Sequence, residues 1–254
     1  MKRAFVLSYD GSAFHGWQRQ KSLPTVQEAL ERAAFALCGK ERYVSGCGRT
    51  DAGVHAAYYV ASCEDAFFIP NEKLPFALNA HLPPSVVVRR TISVPDDFDA
   101  RFSCKKKEYT YIIDNGAFPD PLKLGYASYV KRRLDTERMA AGAAYLLGEH
   151  DFSAFRCEGS NVKTTVRTLY TCGVSQDGDV IRIKTSADGF LYNMVRNIAG
   201  TLIYVGLSKF EPRDVERILF SCDRKEAGPC APPQGLYMTA LYYGTEGLDG
   251  GKSV

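Results

Sequence analysis

Asp51 stands in the stretch GCGRTDAGVHA, residues 46–56, two residues after Arg49 and four before His55. Three kinds of chemistry fit a carboxylate so placed. The tetrapeptide TDAG has the composition of a tight turn, and aspartate suits such positions because its side chain bonds nearby backbone N–H groups. Asp51 and His55 could also share a metal, although no third ligand stands near them and the segment reads as a loop. In the third reading the aspartate reacts. Flanking glycines let backbone approach a ligand closely. In an extended segment Arg49 and Asp51 share one face. A carboxylate beside a guanidinium stays ionised and can serve as nucleophile or base. The guanidinium can alternatively hold a phosphate or stack on a base.

What is missing narrows the chemistry. Glycoside hydrolysis needs a second carboxylate, and spacing assigns no such role to Asp96, Asp97 or Asp99. No P-loop, G-x-G-x-x-G fingerprint or G-x-S-x-G elbow occurs. A reaction run from the 46–56 stretch would use one carboxylate.

The elements that must position it read as follows. RAFVLSY (3–9) is a strand. A helical stripe follows at Val26, Ala29, Leu30, Ala33, Ala34 and Leu37, with Thr25 and Glu28 as a capping box and Gly39 as its stop. RYVSGC leads into the stretch as a short strand, and AAYYVASCE leaves it as another. NEKLPFALNAHL reads as a helix and SVVVRRTISV as a strand. KKEYTYIID opens a second series. It continues with a helix over DTERMAAGAAYLLGEH and a hairpin around Asp177–Gly178. Next comes a strongly apolar helix over GFLYNMVRNIAGTLIYVG. A further helix, EPRDVERILFSC, and a closing strand, LYMTALYYG, complete it.

Each series orders its elements β-α-β-β-α-β, the split βαβ or ferredoxin-like arrangement. The expected fold is therefore α+β. Two consecutive ferredoxin-like halves, residues 1–103 and 104–246, would join into one extended mixed or antiparallel sheet with helices packed on one face. Residues 247–254 would form a loose tail.

Composition fits a globular chain: 254 residues, 45% hydrophobic and 24% charged. No run of eighteen apolar residues suggests a membrane span, and the short apolar run after Met1 suits a first strand better than a signal peptide. Eight cysteines contain no C-x-x-C pair, so reduced thiols in a cytoplasmic protein are expected, with no zinc. The net charge of +3 decides little. Its distribution says more: Arg89–Arg90, Lys105–Lys107, Lys131–Arg133 and the scattered Arg156, Lys163 and Arg167 are interleaved with 15 tyrosines and 14 phenylalanines. Such clusters suit a polyanion groove, or simply a solvated surface.

GRTDAGVHA resembles the active-site motif of the tRNA pseudouridine synthase A family. Further matches follow in chain order: YDGSAFHGWQRQ (9–20), TVQEALE (25–31), NAHLPPSVVV (79–88), VPDDFDARFS (94–103) and KEYTYII (107–113). DFSAFR (151–156), DGFLYNMVRNIAG (188–200) and APPQGLYM (231–238) complete the set. The resemblance implies the duplicated ferredoxin-like fold and isomerisation of uridine in the anticodon stem-loop of tRNA. It also implies a homodimer that needs no cofactor; no metal, no membrane and no DNA partner are expected. Position by position, it implies that Asp51 is the catalytic carboxylate and that Arg49 displaces the target base. Tyr109 would stack on the uracil, and Arg196 would form an ion pair with Asp51. A non-catalytic RNA-binding module is the alternative from another class, and a nucleoside or glycoside hydrolase a second rival.

Overall fold

The computed structural model describes residues 1–159 and 162–254. The first strands and helices are β1 (Lys2–Tyr9), α1 (Val26–Cys38), β2 (Ser45–Gly46), β3 (His55–Glu64), α2 (Leu74–Asn79) and β4 (Val86–Val94). Then come β5 (Lys106–Asp114), β6 (Ser128–Tyr129), α3 (Thr136–Ala144), β7 (Gly148–Asp151), β8 (Val166–Asp177) and β9 (Val180–Ala187). The chain closes with α4 (Met194–Gly206), α5 (Asp214–Ser221), β10 (Leu236–Tyr242) and β11 (Gly250–Gly251). Among the described residues the fold is α+β, with a large mixed sheet and five α-helices. Its contacts divide it into two compact units, Met1–Lys107 with Tyr237–Val254, and Glu108–Leu236.

In the first unit the strand order is β4-β1-β3, and β2 lies on β3. That order, with antiparallel β1–β3, β1–β4 and β2–β3 pairs, is the split βαβ sheet expected from the sequence. β3 is buried along nearly its whole length. Its second edge is shared: β2 pairs there at Ser62 and Ala61, and β10 runs parallel at His55 and Ala56. α1 buries Val26, Leu30, Ala33 and Ala34. Thr25 accepts from the Glu28 N–H and Gly39 ends the helix in the left-handed region, so both termini form as their residues predict. α2 is shorter than the sequence suggested. It is tied to β4 through Asn79, whose amide donates to Val88 O and accepts from Val88 N, both at 2.8 Å.

The closing residues differ from the loose tail expected. β11 pairs with β10 at Ala240 and Leu241, and Leu248 is fully buried. Through the parallel β3–β10 pair the last strand sits in the first unit, and the seam falls at Lys107 and Glu108 rather than at residue 103.

In the second unit β5, β9, β8 and β7 follow in order, and β6 lies parallel on β5. The β8–β9 hairpin forms as expected, with Gly178 at φ 56° in its two-residue turn between the paired Asp177 and Val180. α3 packs on β8, α4 and α5. The two apolar rows of α4 are buried as their period requires, Met194, Ile198 and Leu202 beside Val195, Ala199 and Ile203. Two helix ends were misjudged. α3 stops at Ala144, and Gly148 at φ 101° turns the chain into β7 as an edge strand on β8. α4 begins only at Met194, because Asn193 takes the left-handed conformation at φ 59°.

Candidate active site

The 46–56 stretch leaves β2 and re-enters the sheet as β3. Between them Val54 N donates to Asp51 O at 3.1 Å, closing a turn over Ala52 and Gly53. The turn reading of Asp51 is therefore right about its backbone, and it leaves the side chain to be explained. Asp51 is half-buried and Arg49 is exposed.

Cys47, Gly48 and Thr50, on the approach to the turn, are each pinned. The Cys47 N–H donates to Val60 O at 2.9 Å, and Tyr59 OH to Gly48 O at 2.5 Å. The Lys107 ammonium donates to Cys47 O. Tyr9 OH and Thr50 Oγ1, both buried, lie 2.8 Å apart. Burial holds the Tyr9 phenol far above its ordinary range, so it remains a neutral hydrogen-bonding group. Burial likewise pushes the Cys47 thiol up to about 12. A thiol held there is a packing group rather than a nucleophile at neutral pH.

The segment 10–20 forms a second brace. Trp17 N donates to Thr50 O at 3.1 Å and Gly53 N to Phe14 O at 3.4 Å. This segment is held in turn by the first turn of α1, where Val26 N and Gln27 N donate to Gly16 O and Trp17 O. Helix N–H groups that have no partner inside α1 thus carry the strand-to-helix segment. Gly16 shows why its motif has its composition: φ is +88°, and a Cβ there would sit 2.4 Å from Thr50 O. Only glycine lets the two backbones cross so closely.

His55 is not placed as a metal ligand paired to Asp51. Its Nδ1 accepts from Gly11 N at 3.1 Å, and its ring stacks on Tyr237 with centroids 4.7 Å apart. The Asp10 carboxylate also lies 3.2 Å from Nδ1, where it would pair with a protonated ring. Among the described residues, no three His, Cys, Asp or Glu side chains gather into a metal-binding group.

Tyr109 and Arg196 belong to the second unit. Tyr109 stands on β5, nearly buried, with its ring edge-on to Phe190 at 5.1 Å. Arg196 lies in the first turn of α4. Its Nε donates to Ala231 O at 2.7 Å, and one Nη donates to Asn193 Oδ1 at 2.8 Å. The Ala231 N–H returns a bond to Arg196 O at 3.1 Å. Residues 228–231 can run this close only because Gly200 has no side chain; a Cβ there would fall 1.7 Å from Pro229 O. Tyr111, its phenol pushed up by burial, donates to Pro232 O at 2.8 Å and anchors the same segment.

The sequence reading named Asp51, Arg49, Tyr109 and Arg196 as site residues. It missed Tyr9, Thr50 and Lys107 as supports of the loop, and Asn193 as the support of Arg196. Asn193 alone left a signal, since an asparagine three residues before Arg196 could have been read as the start of α4.

Fold and loop together define a class: an α+β protein of two units that presents one aspartate from a braced turn, beside an exposed arginine. Comparison with known proteins places it further. A family model described as tRNA pseudouridine synthase matches residues 143–244. The tRNA pseudouridine synthase A of Thermoanaerobacter sp. (strain X514) is 48% identical over 238 residues, covering 94% of this chain and 98% of that protein. The tRNA pseudouridine synthase A 2 of Clostridium tetani is 44% identical over 239 residues, covering 93% and 96%. The tRNA pseudouridine synthase A of Bacillus licheniformis is 43% identical over 245 residues, covering 96% and 99%. The chain belongs to the tRNA pseudouridine synthase A family.

Proposed function

We propose that this chain isomerises uridine to pseudouridine in the anticodon stem-loop of tRNA, with Asp51 as the reacting carboxylate. Near-full-length similarity to enzymes of that name supports the reaction. The observation that carries the role of Asp51 is its turn. Backbone and buried side chains fix residues 47, 48, 50 and 53 on both sides of it, while Arg49 stays exposed.

The reaction suits a single carboxylate. The N1–C1′ bond breaks, the uracil turns, C5 bonds to C1′, and the proton lost from C5 is balanced by one taken up at N1. Nothing else is gained or lost, so no second carboxylate is needed to activate water. A paired base is out of reach inside a helix, and extruding it costs a few kcal/mol. Arg49 fits the role of the group that fills the vacated stack. Tyr109 and Arg196 take the roles the family motifs give them, stacking on the uracil and pairing with the Asp51 carboxylate. The homodimer and the cytoplasmic location belong to the same proposal. No helix among the described residues is long and apolar enough to cross a membrane.

The test is incubation with unmodified tRNA, mapping of pseudouridine, and an assay for free uracil. Pseudouridine in the anticodon arm without free uracil supports the proposal. Free uracil would point to a hydrolase, and binding without either product to an RNA-binding module.

A further inference from the structure

β4 is an edge strand of the first unit, and it carries a bulge. Val6 pairs with Arg90 and Leu7 with Val88, so Arg89 has no partner on β1. A regular strand would turn one of two adjacent residues inward. Here the extra residue leaves both Arg89 and Arg90 exposed, while Val88 and Thr91 on either side are buried. Bulges re-aim side chains in this way at functional edges.

The two arginines line an open notch of about 300 Å³ together with Asn71, Phe76 and Glu72. Phe76, on the short helix α2, is 78% exposed and offers its ring to solvent. The floor beneath it is rigid. Asn79 clamps α2 to β4, and Asn71 accepts from Arg3 and Thr91. Arg3, Arg19 and Arg32 of the same unit each pair with a carboxylate. Among the described residues neither Arg89 nor Arg90 does; their side chains reach only Ser8 Oγ and Tyr58 OH. Against the single carboxylate of Glu72, the notch keeps a net positive charge.

We propose that this notch seats a nucleotide of bound tRNA other than the one that reacts, its base stacked on Phe76 and its phosphate held by Arg89 and Arg90. The chemistry matches: arginine is a bidentate phosphate ligand, and an exposed ring stacks any base. The volume suits one nucleotide rather than a protein element. Geometry separates the notch from the reacting loop. Val86 pairs with Tyr9, which holds Thr50, and Arg90 lies four residues further along β4, roughly 13 Å at strand spacing. The proposal rests on tRNA being the substrate.

The test is equilibrium binding of full-length unmodified tRNA, with steady-state kinetics, for Arg89→Ala/Arg90→Ala, Phe76→Ala and Glu72→Gln. The double variant should raise Kd about tenfold and reduce the slope of log K against log salt by about two. Phe76→Ala should raise Kd about fivefold or more. Glu72→Gln should tighten binding, and the losses should appear in KM rather than kcat. Arg89→Lys/Arg90→Lys, which keeps the charge, should restore the salt slope and serves if the alanine pair folds poorly. Wild-type tRNA affinity in both the Arg89→Ala/Arg90→Ala and Phe76→Ala proteins, with no change of salt slope in the alanine pair, would overturn the notch. A change of solution mass at unchanged tRNA affinity would overturn it too, in favour of a contact between copies. Failure of wild-type protein to make pseudouridine is a separate result, and overturns the function itself.

Discussion

Tyr9 and Thr50 decide how firmly Asp51 is held. Their hydroxyls meet in the core, 2.8 Å apart, one residue before the aspartate. Tyr9→Phe leaves the Thr50 hydroxyl buried without that partner, at a cost of about 1–3 kcal/mol. The expected kinetic result is a fall in kcat of about tenfold with KM little changed, because a loosened group loses transition-state geometry before it loses substrate. A variant with wild-type kcat would show that the pair merely packs. This contact also marks the limit of the sequence. Arg49 and Asp51 were legible because they share one short motif. Tyr9 to Thr50 spans 41 residues and Lys107 to Cys47 spans 60, and no periodicity links such positions.

Between residue and molecule, the elements mostly follow their patterns. The apolar rows of α4 and the caps of α1 were readable because helical period and capping chemistry are local. Three features were not. The helix ends at Ala144 and Asn193 depend on single residues in left-handed or glycine-only conformations, inside stretches whose composition favours helix. The bulge at Arg89 appears only once β4 is paired with β1. The close crossing at Gly200 yields a prediction at this scale. Gly200→Ala forces residues 228–231 away from α4 and should destabilise the chain by about 1–3 kcal/mol, the usual cost of overpacking. A lower urea midpoint at unchanged slope is the expected reading. Since Ala231 holds Arg196, activity should fall even where the variant remains folded. An unshifted midpoint would mean that the segment moves aside freely.

For the molecule as a whole, two quantities were legible and one was not. Fold class followed from element order, and the family from motifs spread over nearly the whole chain. The placement of β10 and β11 with the first unit was hidden, because the parallel pairing of residues 237 and 238 with 55 and 56 joins segments about 180 residues apart in sequence. Net charge of +3 is small, so tRNA affinity must come from local clusters, and binding should weaken steeply as salt rises. A salt-independent Kd would contradict that. The proposed dimer should elute well above the 28.1 kDa of one chain at micromolar concentration; a monomer mass would remove it.

The central claim is that one carboxylate, on a braced turn, carries the isomerisation. Its most direct test replaces that charge and nothing else. Asp51→Asn should bind unmodified tRNA with affinity close to that of the unaltered protein and form no detectable pseudouridine over times in which the unaltered protein converts its target fully. Pseudouridine formed by the asparagine variant at the wild-type rate would contradict the account.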